Sequence, residues 1–300
     1  MQISANGIAI EVDDQGPPDA EPLLLVMGLG MQLIAWPQAL VDLLLARGFR
    51  VIRLDNRDAG LSQGFDHLGA PGALGMGVAA LRFTLRLPVR APYGIGDMAA
   101  DALGVMDALG LSRAHVCGAS MGGMIAQHLA ARHPQRVKSL TLMMTTSGAR
   151  RLPQAAPRVQ RALLSRPDGR DPAAVVAHLE KLLRLIGSPA YPADPGLLRA
   201  RLQASVARAW RPAGTARQLL AVVADGDRSR MLRHICAPTR VIHGDADPLV
   251  RVQAGHDLAH RIDGAELDIV PGMGHDLPEA LLEHFADGIA KNAGRSALPG

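Results

Sequence analysis

Apolar positions along the chain fall into two alternating kinds. Short continuous runs bounded by Gly, Pro, Asn or Asp read as strands: GIAIEV (7–12), PLLLVMG (22–28), RVIRLDN (50–56), RAHVCGAS (113–120), VKSLTLMMTT (137–146), TRVIHGD (239–245) and ELDIVPG (266–272). Between them, apolar residues recur at helical spacing. WPQALVDLLLARG (36–48) stops at Gly48, and GDMAADALGVMDALG (96–110) is a second helix. MGGMIAQHLAARHP (121–134) ends at Pro134, another helix falls near 250–262, and a last one starts from Pro278. A Gly-rich loop after Asn56 leads into an apolar-basic piece, MGVAALRFTLRLPVR (76–90). Strands without polar alternation, interleaved with helices, imply a parallel sheet covered on both faces. From about Gly148 to Arg233 the strand pattern stops and helical, Arg- and Pro-rich segments replace it. The expected fold is therefore α/β, with a mostly parallel central sheet flanked by helices. Residues 1–147 and 234–300 form the core, and 148–233 form a helical cap inserted into it. No internal repeat is evident.

Composition agrees with a large buried core. The chain has 300 residues, 48% of them hydrophobic, but only 3% aromatic, so Leu, Val, Ala and Met must fill it. The N-terminus MQISANGIAIEVDD lacks the basic start and apolar core of a signal peptide. No apolar run approaches the roughly 18 residues of a membrane span. Cys117 and Cys236 each lie in an apolar run and are expected to be buried free thiols. A cytoplasmic location follows as an expectation.

Charge is unevenly placed. The net charge is +4, yet Arg150–Arg233 carries 16 Lys and Arg against 6 Asp and Glu, and the remainder carries 16 against 22. A solvated helical face explains the basic block, and so does steering of an anionic substrate. Nucleic acid is a poor third reading, because few aromatics are available for stacking and no nucleic-acid motif is present.

The chemistry concentrates where a strand turns into a helix. Gly118-Ala119-Ser120-Met121-Gly122 fits G-x-S-x-G between RAHVCGAS and the following helix. Small residues two before and two after the serine let the turn be sharp. The serine is then held in a strained conformation with its hydroxyl clear of the sheet. The Met121 N–H, at the helix N-terminus, points at any oxyanion formed there. Ligands of parallel sheets bind beyond such strand ends.

A serine hydroxyl needs a base, and the base needs an orienting carboxylate. After TRVIHGD, both Asp245 and Asp247 compete for the second task. Asp247 is chosen because it lies further past the strand end, and Asp245 is expected to bond turn amides. His275, in the Gly-flanked loop after ELDIVPG, is the expected base. His256, His260 and His284 fall in helical pattern. HDLAH (256–260) is a poor zinc helix, since Asp257 stands where Glu would act and no third ligand is indicated. The second oxyanion donor is expected from VMGLGMQ (26–32), at the Leu29 N–H, with Gly28 and Gly30 giving the backbone room. A dinucleotide reading of Gly28-x-Gly30 fails because position 33 is Leu33. Gly28, Gly30, Met31, Trp36, Met124 and Met144 near the strand ends, and Trp210 in the cap, are the expected pocket wall.

MGLG, LDNRDAGLS, CGASMGGM, HGDADP and GMGH occur in the order found in the α/β-hydrolase superfamily, which the chain resembles over nearly its whole length. VMGLG and DNRDAGLS bring it closest to bacterial esterases of the aclacinomycin methylesterase kind. The resemblance implies an α/β-hydrolase fold and a serine hydrolase acting on a carboxylic ester, with no metal or organic cofactor. Its partner is a small-molecule ester, with no nucleic acid or membrane span. Oligomeric state and the two halves of the ester stay open, as do enol-lactone and C–C hydrolysis, because members with those activities also carry SMGG. Relatives that use an Asp nucleophile are excluded, since that position is Ser120. Many members start the oxyanion segment with His, as H-G-x-G. Here the position is Met27, so the hydrogen bonds of such a His to its loop are lost. In DNRDAGLS, Arg57 and Asp58 are expected to pair, with Gly60 allowing the turn.

Overall fold

A computed structural model describes residues 1–85, 87–169 and 171–297. Eight strands form one sheet: β1 (Gln2–Ala5), β2 (Ile8–Gln15), β3 (Glu21–Val26), β4 (Phe49–Leu54), β5 (Ala114–Ala119), β6 (Val137–Met143), β7 (Thr239–Gly244) and β8 (Glu266–Val270). Their spatial order is β1-β2-β4-β3-β5-β6-β7-β8. β1–β2 and β2–β4 pair antiparallel, and every later pair is parallel. The apolar pattern locates seven of these strands. It places none before Gly7, where the structure adds β1. The cause is a two-residue turn, Asn6-Gly7, with φ of 51° and 76°. Positive φ at both positions is what a tight antiparallel hairpin requires.

Alternate strand residues feed two cores. Leu24, Val26, Leu54, Val116, Leu142 and Val241 face α3 (Ile95–Ala108), α4 (Met121–Arg132) and α10 (Gln253–Arg261). Leu23, Leu25, Val51, Cys117, Met143 and Ile242 face α1 (Gln38–Ala46) and α11 (Leu282–Gly294). Burial on both sides explains why the parallel strands read as continuous apolar runs. Each fully buried Leu or Val contributes about 1.5–3 kcal/mol relative to exposure.

Between β6 and β7 lie only helices among the described residues: α5 (Pro157–Leu163), α6 (Pro172–Ile186), α7 (Pro195–Arg208), α8 (Pro212–Asp225) and α9 (Ser229–Leu232). Four of them begin on a proline. That position has no intrahelical partner for its N–H, and proline's φ is already helical. The Pro-rich character of the segment is therefore helix punctuation. The apolar-basic piece becomes α2 (Ala73–Thr84), which packs against α8 and leaves Val78, Leu81 and Phe83 exposed.

Two expectations need correction. Cys117 is buried and free, but Cys236 is exposed, because the chain there runs over the surface before β7. Arg57 and Asp58 do not pair with each other. Asp58 has a φ of 66° and its side chain diverges from that of Arg57. Arg57 forms a fork with Asp101 on α3, both contacts at 2.6 Å. Asp58 is held by Arg217 of α8 at 2.7 and 2.8 Å, by the Tyr93 hydroxyl and by the Phe65 N–H. Burial works against the Asp58 carboxylate, but these partners hold its pKa below the ordinary value. Gly60 does allow the turn: at φ +53°, a Cβ there would sit 2.0 Å from Asp55 Oδ2.

Candidate active site

Ser120 stands between β5 and α4 with a φ of 54°, a region in which a non-glycine side chain is strained. The turn is as tight as the small residues predict. A Cβ on Gly118 would meet Gly122 O at 2.3 Å, and one on Gly122 would meet Val26 O at 2.0 Å. The Ser120 N–H donates to Met143 O, and the Thr145 hydroxyl donates to Ser120 O at 2.7 Å. Hydrogen bonds to both its N–H and its C=O therefore hold the strained residue in place.

His275 approaches from the loop after β8. Its Nε2 lies 2.9 Å from Ser120 Oγ, and its Nδ1 lies 2.7 Å from Asp247 Oδ2. A carboxylate only accepts, so Nδ1 carries the proton and Nε2 meets the hydroxyl with its lone pair. Asp247 is fully buried in the loop after β7. Its Oδ1 accepts from the Leu249 and Val250 N–H groups, both at 2.8 Å. These bonds aim the other oxygen at the imidazole. Asp245 points elsewhere, accepting the Gly272 N–H at 2.6 Å. It pins the two loops to each other.

One neighbour escaped the sequence reading. His243, the fifth residue of β7, is fully buried behind Asp247, 3.8 Å from its Oδ2. Its Nε2 donates to Val250 O, and burial holds its pKa below the usual range. A histidine inside an apolar strand carries no signal of that placement.

Leu29 and Met121 both border the space in front of Ser120. Neither N–H has an acceptor among the described residues. Gly28 lies against the serine, where an added Cβ would stand 3.1 Å from Ser120 Cβ. The site opens into a cleft of about 2460 Å³, roofed by α5–α8 and walled by Leu, Met, Val, Ala and Pro side chains. Gly28, Gly30, Met31, Met124, Met144 and Trp210 all line it. Trp36 does not. It is fully buried in the hydrophobic core on the α1 side of the sheet, to which Leu23, Leu40 and Met143 also belong. The chain turns there, so Ala35 and Pro37 face the cleft while the indole points into the core.

Part of the helical segment's positive charge meets acids elsewhere in the chain. Arg151 pairs with Asp257, Arg201 with Glu279, Arg208 with Asp55, Arg211 with Asp66, and Arg217 with Asp58. Much of the imbalance seen along the sequence is thus local complementarity. The segment also holds the base's loop. The His275 N–H donates to Ile186 O at 2.7 Å, and the Gly274 N–H donates to Ser188 Oγ at 2.8 Å.

Residues 21–279 match the family model described as the alpha/beta hydrolase fold. The chain belongs to the alpha/beta hydrolase family. Among its relatives is the rhodomycin D methylesterase of Streptomyces sp. (strain C5), 29% identical, with 96% of this chain and 95% of that protein aligned. The 2-hydroxymuconate semialdehyde hydrolase of Pseudomonas sp. (strain CF600) is also 29% identical, over 91% of this chain and 86% of that one. Among solved structures, a meta-cleavage product hydrolase from Pseudomonas fluorescens IP01 superposes with a TM-score of 0.75, covering 99% of this chain and 98% of that one at 19% identity. At that identity the likeness concerns the alpha/beta hydrolase fold alone. Among the described residues, no helix is long and apolar enough to cross a membrane.

Proposed function

We propose that the protein cleaves carboxylic esters through an acyl intermediate on Ser120. The observation that carries this reading is the unbroken hydrogen-bond chain Asp247–His275–Ser120 at the floor of an apolar cleft. Ser120 Oγ attacks the ester carbonyl as its proton passes to His275 Nε2. The oxyanion of the tetrahedral intermediate lies between the Leu29 and Met121 N–H groups. Collapse breaks the acyl–oxygen bond, and the Nε2 proton goes to the departing alkoxide. Water then attacks the acyl-enzyme, losing its proton to Nε2. The second intermediate expels the serine oxygen, which regains the proton as the carboxylic acid leaves. Asp247 keeps Nδ1 protonated and stabilises the imidazolium.

Residues 148–233 form a cap over this site, and 1–147 with 234–300 form the core that carries it. The cleft exceeds the few hundred to thousand Å³ typical of small-ligand pockets, which supports a bulky apolar ester. A second reading keeps the same residues but opens an enol-lactone or a C–C bond. It is favoured by a 2-hydroxymuconate semialdehyde hydrolase also being 29% identical, over a smaller share of both chains than the methylesterase.

Hydrolysis of p-nitrophenyl esters from acetate to palmitate, by wild type and Ser120→Ala in parallel, tests the proposal. The expected result is a maximum at one chain length that vanishes in the variant. Turnover undiminished in Ser120→Ala would refute the mechanism. Activity on dicarboxylate lactones with none on simple esters would favour the second reading.

A further inference from the structure

One face of α8 is pressed against two loops at once. A Cβ on Gly214 would stand 2.2 Å from Asp58 O, and a Cβ on Gly30 would stand 2.8 Å from the Thr215 side chain. One turn further along α8, Arg217 grips Asp58. Beside it, the fully buried Gln218 reaches both loops. Its Oε1 accepts the Gly30 N–H at 2.7 Å, and its Nε2 donates to Arg57 O at 2.7 Å. Spacings of three and four residues put these side chains on a single helix face.

The Gly30 bond falls at a sensitive place. Gly28–Met31 is a four-residue turn closed by the Met31 N–H donating to Gly28 O at 3.2 Å. Gly30, its third residue, has a φ of +66°, and Leu29 is not in the positive-φ region. That is the geometry of a type II turn. Its common alternative, type I, differs mainly by a flip of the central peptide, the one that carries the Gly30 N–H. In the flipped state Gln218 Oε1 would lose its donor in a buried setting. Gln218 therefore fixes the Leu29–Gly30 peptide, the one next along the chain from the peptide that carries the Leu29 N–H, and anchors the turn to α8. The side chain of Met27, just before the turn, offers it no hydrogen bond. The tie comes instead from a helix 188 residues along the chain.

We propose that Gln218 is a positioning residue for the oxyanion donor, reaching from α8 to hold the Gly28–Met31 turn so that the Leu29 N–H faces the reacting carbonyl. The inference rests on the esterase reading above. Removing a donor outright costs roughly 10²–10³ in turnover, so loosening one should cost about 10- to 100-fold.

The test compares wild type with Gln218→Met, which keeps the volume and removes both hydrogen bonds. Steady-state kinetics on the best p-nitrophenyl ester should show kcat lowered about 10- to 100-fold with KM within about twofold. Affinity for an aryl trifluoromethyl ketone, which adds to the serine and places an oxyanion in the same hole, should fall by the same factor as kcat/KM. An unchanged kcat overturns the proposal, and so does a fall in kcat without matching loss of ketone affinity. If Gln218→Met does not fold, the same measurements on Gln218→Asn, whose shorter amide withdraws from the Gly30 N–H, carry the same two outcomes. Failure of the esterase reading would look different: Ser120→Ala would retain activity.

Discussion

The strand-end loops that carry Ser120, Asp247 and His275 and the helical segment above them are organised by different forces. The loops grow from a sheet buried on both faces, and hydrogen bonds from backbone amides fix them: Ser120 N–H to Met143 O, two amides to the Asp247 carboxylate, and the Gly272 N–H to Asp245. The helical segment buries fewer apolar side chains and is tied down by arginines that reach acids elsewhere in the chain. Yet the two are interdependent. Ile186 and Ser188 hold the base's loop, and Gln218 holds the turn at Leu29. The helical segment that lines the cleft thus also bonds the loops of the candidate site.

Four substitutions break or sharpen this contrast. The largest effect is expected within the loops. Asp247→Asn should lower kcat by about 10⁴, since an amide cannot hold the imidazole in the right tautomer. Asp245→Asn, whose carboxylate meets only a turn amide, should lower it less than about tenfold. Equal losses in steady-state kinetics would mean that the two acids have been told apart wrongly. Next comes the tie between the regions. Arg217→Met leaves Asp58 buried without its cation and should destabilise the protein by about 3–5 kcal/mol in chemical denaturation. A loss below 1 kcal/mol would show that the buried pair does not clamp the segment.

The smallest effect lies in the sheet. Burial presses the His115 pKa down to about 4, with Lys138 adding repulsion. The unfolded chain therefore binds a proton that the folded chain refuses between pH 6.5 and 4. Stability is full above that window and falls within it, by at most about 3 kcal/mol. His115→Gln should flatten this part of the pH–stability curve, measured by denaturant unfolding. An unchanged slope would assign it to other groups.

The same contrast governs what the sequence discloses. Strands buried on both faces leave continuous apolar runs, and a sharp strand–helix turn demands Gly118 and Gly122, so the sheet and the serine turn are legible. Asp247 and His275 are legible because each follows a recognisable strand. The helical segment is legible only as helices. Which acid each arginine meets depends on how the helices stack, and no local spacing encodes it. Arg57 illustrates this: its sequence neighbour Asp58 was the obvious partner, but a positive φ turns that carboxylate toward Arg217. Trp36 shows the converse. A large aromatic near a strand end suggests a pocket wall, whereas one turn of chain sends it into the core. Gln218 gave no signal, since an amide in a helical pattern is ordinarily a surface residue.

The central claim is that Ser120 is a nucleophile primed by His275. Its most direct test is intact-protein and peptide mass spectrometry after exposure to a p-nitrophenyl phosphonate. One phosphonyl group should be gained on the peptide containing Ser120. It should be absent from Ser120→Ala and form far more slowly in His275→Ala. No adduct on the wild type, or an adduct that persists in Ser120→Ala, would contradict the account.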